Sequence, residues 1–275
     1  MAANNLRVIY QNRADTATIS ASSTAGGTST SNLQKDAKSL IWRATGTTAT
    51  LTVSFGASKT LRGIVLPFTN LTSTATITAT VVGGSGYSTG AVLACPYQVT
   101  DNWDSTYLPT GANSYSYGGG TYARIWFPAI ETCTGVTITI TDTSNPAGYV
   151  EASRLVLGDY WSPKFNTSFG LTSSPKDLSI NERTESGDLV TTRGIKYNSM
   201  RFDLTWLEPT DRVVLTKILR ANGLGKPLLI SLFPDCVEDY NKEQTYQIFG
   251  KLSQLSDIGH PMFGIYSSSI DIEEV

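Results

Sequence analysis

The sequence predicts a mainly β protein in two parts: a β-sandwich, then a small α+β unit with one helix packed on an antiparallel sheet. Three observations predict it. Runs rich in aromatic and β-branched residues, ended by Pro or Gly, recur through the first half of the chain. Apolar residues alternate there with threonine at the period of a half-buried strand. Only the stretch after Glu208 carries both a start and a stop signal for a helix.

Taken in order, Leu6-Arg-Val-Ile-Tyr10 reads as a short apolar strand, and the Ser/Thr/Gly stretch Thr16–Ser31 as an exposed loop or arm. Leu40-Ile-Trp-Arg-Ala-Thr45 leads into the alternating run Ala49–Phe55, and Leu61–Leu66 comes next. Residues 83–121 are rich in glycine and aperiodic, which predicts long loops with one short strand at Ala91–Ala94. Strands are then expected at Tyr122–Pro128, at Gly135–Asp142 and over Tyr149–Gly158.

Residues 163–194 are polar and carry Pro163 and Pro175, so they read as a linker free to lend a strand to the second unit. In Ile195–Trp206, Met200, Phe202, Leu204 and Trp206 fall on one face. Pro209 and Asp211 suit the first helical turn. Val214, Leu215, Ile218 and Leu219 make its apolar stripe, and Asn222-Gly223 stops it. Pro227–Pro234, Thr245–Leu252 and Phe263–Ile272 complete a small sheet. The expected units are therefore 1–162, a linker at 163–194, and 195–275.

Composition excludes several classes of function. A formal charge of −2 over 275 residues, with no basic run, gives no footprint for nucleic acid. No apolar stretch reaches spanning length and no signal pattern opens the chain, which predicts a protein neither exported by a cleaved signal nor inserted in a membrane. Three widely spaced cysteines, Cys95, Cys133 and Cys236, and a single histidine, His260, offer no metal-ligand cluster. Packed thiols in a reducing cytoplasm and a Cys95–Cys133 bridge both remain open for the cysteines. Gly83-Gly-Ser-Gly-Tyr87 precedes no helix and so makes no phosphate loop. No cofactor and no metal are expected.

The order Trp42-Arg43, core strands, Tyr122-Ala-Arg-Ile125 and Leu155-Val-Leu-Gly158 resembles the discoidin-like (galactose-binding-like) jelly rolls over roughly residues 30–160. The resemblance implies a binding module in which Trp42 is core and Arg43 a structural partner. Residues 165–275, with Leu204-Thr-Trp-Leu207, one helix, Pro227–Pro234 and Gln244–Leu252, look like the sheet-plus-helix ring domains of distal tail and baseplate proteins of tailed phages. Those place the ring domain first, whereas here the order is inverted. This second resemblance implies a virion structural protein at the tail tip or baseplate, assembled in the host cytoplasm. Its implied partners are copies of itself in a ring, other tail proteins, and a host surface glycan.

Catalytic chemistry finds little support. His260 lies in a stretch expected to turn, Asp101 and Asp104 are sequence neighbours rather than a pair facing across a cleft, and Asp235, Glu238 and Asp239 lack calcium-loop spacing. The expected contact residues are Trp103, Tyr107, Tyr115 and Tyr117, aromatics among Gly and Ser with no apolar stripe to bury them. The reading is a non-enzymatic tail adaptor. A carbohydrate-binding receptor module is its first alternative, and a glycan-degrading tail enzyme, which would need an acid pair, its second.

Overall fold

The computed structural model describes residues 5–95, 120–236 and 240–275. It shows a β-sandwich followed by an α+β unit, the predicted class. Strands of the first half are β1 (Arg7–Ile9), β2 (Thr18–Ala21), β3 (Trp42–Arg43), β4 (Thr48–Thr69), β5 (Thr76–Val82), β6 (Val92–Leu93), β7 (Thr121–Thr141), β8 (Glu151–Ala152) and β9 (Val156–Gly158). The second half holds β10 (Thr172–Asp177), β11 (Ile180–Arg183), β12 (Leu189–Thr192), β13 (Lys196–Leu207), helix α1 (Pro209–Asn222), β14 (Leu228–Ser231), the short helix α2 (Tyr240–Thr245), β15 (Gln247–Leu252), β16 (Ile258–Met262) and β17 (Ile265–Glu274).

The backbone of the sandwich is the antiparallel ribbon β4–β7, paired from Thr48↔Thr141 to Thr69↔Thr121 with register shifts that bend it. At its outer end burial alternates, with Ala49, Leu51, Val53 and Phe55 inward, as the threonine pattern requires. From Ile64 to Thr69 every residue is buried. There Ile64 and Leu66 face the sandwich core while Val65 and Phe68 face a second cluster shared with the other module. A strand covered on both faces loses its polar alternation.

The second module is a seven-stranded sheet, β1-β14-β15-β17-β13-β10 with β16 on β17, and α1 lies over its apolar face. Leu215 and Ile218 of the expected stripe are buried, and Gly223 ends the helix at φ +53°, which a side chain would strain.

Several expectations need correcting. β1 pairs with β14 from Arg7↔Ser231 to Ile9↔Leu229, so residues 7–9 belong to the second sheet, while Val8 also exchanges backbone hydrogen bonds with Trp161. Thr16–Ser31 is not a loop throughout: Thr18–Ala21 pairs with β4, its side chains half-exposed on a sheet edge. Tyr149–Gly158 breaks into β8 and β9, and between them Ser153 Oγ donates to the Lys38 carbonyl at 2.9 Å. Trp206 is 53% exposed and Leu207 is buried instead, since the pairing of β13 with β17 shifts register between Leu204 and Leu207. His260 lies on β16, stacked on Tyr266 with centroids 4.6 Å apart, rather than in a turn. Within residues 163–194, β10 pairs with β13, and β11 and β12 form a hairpin.

Candidate functional site

The two modules meet along a seam that is both apolar and charged. Ile9, Val65, Phe68, Tyr122, Leu229 and Phe249 form its apolar cluster. Beside it Arg124 of β7 donates Nε and Nη2 to the two carboxylate oxygens of Glu243 on α2, both at 2.8 Å, and Nη1 to the Leu93 carbonyl. Burial pulls the Arg124 guanidinium down, but the hydrogen bonds and charge of Glu243 outweigh it and hold it above its ordinary value. This is the planar, bidentate geometry in which a buried pair is best satisfied.

Gln244 adds a two-way amide exchange with the Tyr122 backbone, at 3.1 and 3.0 Å. The Tyr122 hydroxyl accepts from the Phe249 amide at 3.1 Å, and burial pushes its pKa well up. Lys38 meets Glu274 at 3.2 Å without hydrogen-bond geometry; burial lowers the ammonium and raises the carboxyl. Arg154, 3% exposed, is held by Asp15 at 2.7 Å and Asp36 at 3.1 Å while lying over the Phe249 ring.

The segment Tyr10–Gln11 crosses the seam, and a cleft opens on each side of it. The larger, about 500 Å³, is lined by Asp15, Asp36 and Arg154, whose charges already satisfy one another. Burial raises Asp15, with Arg154 opposing. The smaller, about 370 Å³, is lined by Tyr10, Arg13, Asp159, Tyr160, Trp161 and Lys217, among others. Asp159 Oδ1 and Arg13 Nε are buried there without a partner, as Arg154 Nε is beside the larger cleft. The wall of the smaller cleft is rigid. Trp161 is pinned by backbone bonds to Val8 at 2.8 and 2.9 Å, and Tyr160 packs edge-on to Trp126 with Arg62 over its ring at 4.5 Å.

Trp103, Tyr107, Tyr115 and Tyr117, with Asp101 and Asp104, lie outside the described residues. Trp42 is fully buried and Arg43 pairs with Glu151 at 2.8 Å, so both serve the fold. Cys95 and Cys133 are buried and unpaired, the Cys95 thiol pushed up by burial to about 12. Among the described residues no group of three or more His, Cys, Asp or Glu could hold a metal ion. Asp159-Tyr160-Trp161 is not among the residues that sequence pattern points to. The signal available was a carboxylate followed by two aromatics just after the closing Gly158, where a module ends and its neighbour begins.

No protein-family model and no curated protein matches the chain. Solved structures do align. Chitosan-binding module 1 of a chitosanase/glucanase from Paenibacillus sp. IK-5 matches at 19% identity over 54% of this chain and 99% of its own, with a TM-score of 0.37. The family 32 CBM of NanJ from C. perfringens, solved with galactose, matches at 14% identity over 57% and 99%, TM-score 0.38. A fucose-binding module of Streptococcus pneumoniae matches at 10% identity over 55% and 99%, TM-score 0.36.

Proposed function

We propose that this chain is a non-catalytic contact protein that holds a saccharide in the smaller cleft at its module seam. One observation carries the reading. Asp159 and Arg13 line one cleft beside Tyr10, Tyr160 and Trp161, and one buried atom of each, Oδ1 and Nε, has no partner. Leaving such a group unpaired costs about 1–3 kcal/mol, so a ligand that supplies both a donor and an acceptor is favoured. Neighbouring sugar hydroxyls do this, and the carbon face of the ring suits aromatic walls. Lys217 at the rim also accommodates an acidic sugar. The test is calorimetry against a panel of neutral and acidic oligosaccharides, with Asp159→Ala alongside. Binding by the wild type and loss in the variant are expected. A wild type that binds no member of the panel overturns the reading.

A second reading, a phage tail-tip or baseplate subunit contacting its own copies and other tail proteins, draws support from the projecting hairpin β11–β12, whose strand residues are all exposed. Mass spectrometry of purified virions tests it; absence of the chain from every particle type would count against it.

A further inference from the structure

The hairpin β11–β12 is a two-stranded sheet paired to no other strand among the described residues. An isolated hairpin is marginally stable in water unless something covers it. Strand alternation with the pairs Ile180↔Thr192 and Glu182↔Val190 puts these four residues on one face. Leu178, two residues earlier, extends that face. Leu178, Ile180 and Val190 are 59%, 58% and 52% exposed.

The arm is nevertheless held in a defined pose. At its neck the Leu178 amide bonds Ile195 O at 3.1 Å, and the Gly194 amide bonds Ser179 Oγ at 2.9 Å. A Cβ on Gly194 would lie 2.2 Å from the Leu178 carbonyl carbon, so the neck admits no side chain there. At its tip Thr184 and Asp188 close the turn, and Arg183 is turned onto the Gly187 carbonyl at 2.8 Å. The hairpin therefore presents Glu182 on its apolar face and Glu185 and Asp188 at the tip beyond it.

The complement lies elsewhere on the same molecule. Along the outer side of α1 runs an open groove of about 780 Å³, lined by Arg212, Lys217 and Arg220 together with Val213, Ile258 and Tyr266. Val213 is exposed, and Arg212 lies over the Tyr266 ring at 4.8 Å. Three cations above an apolar floor match three carboxylates on and beyond an apolar face. We propose that the hairpin of one copy seats in the α1 groove of another. Each copy then carries one arm and one groove, a head-to-tail contact that closes as a ring or runs on as a filament.

The docking rests on the assembly reading, not on the saccharide cleft. It is tested on the full chain by sedimentation over a concentration series, for wild type, Glu182→Lys/Glu185→Lys, Arg212→Glu/Arg220→Glu and the four changes combined. Wild type should self-associate, each charge reversal should weaken association by about tenfold or more, and the combined variant should recover it, because like charges across an interface repel and restored pairs do not. Carbodiimide coupling in a mixture of isotope-labelled and unlabelled chains should join the hairpin tip to Lys217 between chains. Circular dichroism confirms that each variant is folded. Reversals that leave association unchanged contradict the docking while the assembly reading stands. A wild type that stays monomeric with no interchain link overturns both.

Discussion

The seam between the modules and the hairpin β11–β12 use similar side chains to opposite ends. Both combine apolar residues with carboxylates. At the seam each main charge meets an opposite one inside the chain: Arg124 with Glu243, Arg154 with Asp15 and Asp36, Lys38 with Glu274. On the hairpin Leu178, Ile180 and Val190 stay in solvent, and Glu182, Glu185 and Asp188 are exposed. The difference separates surfaces closed during folding from surfaces left for another molecule. The smaller cleft is intermediate, a part of the seam where two buried polar atoms have no hydrogen-bond partner.

Breaking the seam should have the largest effect. Glu243→Gln strands the Arg124 guanidinium in a buried site, and removing one partner of such a pair costs about 3–5 kcal/mol. Urea unfolding should show that loss. The equivalent change at the solvent-facing pair Lys196–Asp177, 3.6 Å apart, should leave unfolding close to that of the wild type.

Next in size is the cleft. Asp159→Asn keeps the shape but exchanges an acceptor-only carboxylate for an amide, so saccharide affinity should fall by about 1–3 kcal/mol with unfolding little changed. Calorimetry and thermal melts together separate this from a folding defect.

Legibility in the sequence divides along the same line. Alternation at Ala49–Phe55 and Val136–Ile140 marked the sandwich because one face there is solvent and one is core. The pattern failed at the seam, where Ile64–Thr69 is buried on both faces and where β1 joins a sheet whose other strands begin only at Thr172. Trp206 was misplaced because a register shift is invisible to a strict period of two. Arg13 and Asp159 are far apart in sequence and meet at one cleft because Asn12, just before Arg13, is bonded to β9 through the Leu157 amide, so no local spacing could join them.

A smaller effect sharpens the seam further. Burial raises Glu274 above the ordinary 4.5, so the folded chain keeps its proton in a range where the unfolded chain releases it. The stability this group contributes is complete below that ordinary value and is lost as pH rises through the raised one. Glu274→Gln removes the titration. Melting temperatures measured across that range should therefore shift in the variant's favour as pH rises.

The smallest effect on folding is expected at the hairpin. Leu178→Ser/Ile180→Ser/Val190→Ser should change stability by no more than about 0.5 kcal/mol per site, as for surface positions generally, while self-association is lost. A loss of several kcal/mol in unfolding would show that the hairpin is part of a core after all.

Amide hydrogen exchange, followed peptide by peptide with and without a bound oligosaccharide, tests the seam cleft most directly. Slow exchange along the seam, with added protection on the peptides that carry Tyr10–Arg13 and Asp159–Trp161, is the predicted result. Protection confined to the peptides of Trp103, Tyr107, Tyr115 and Tyr117, with none at Asp159–Trp161, would place the sugar on the Gly-rich segment and contradict it.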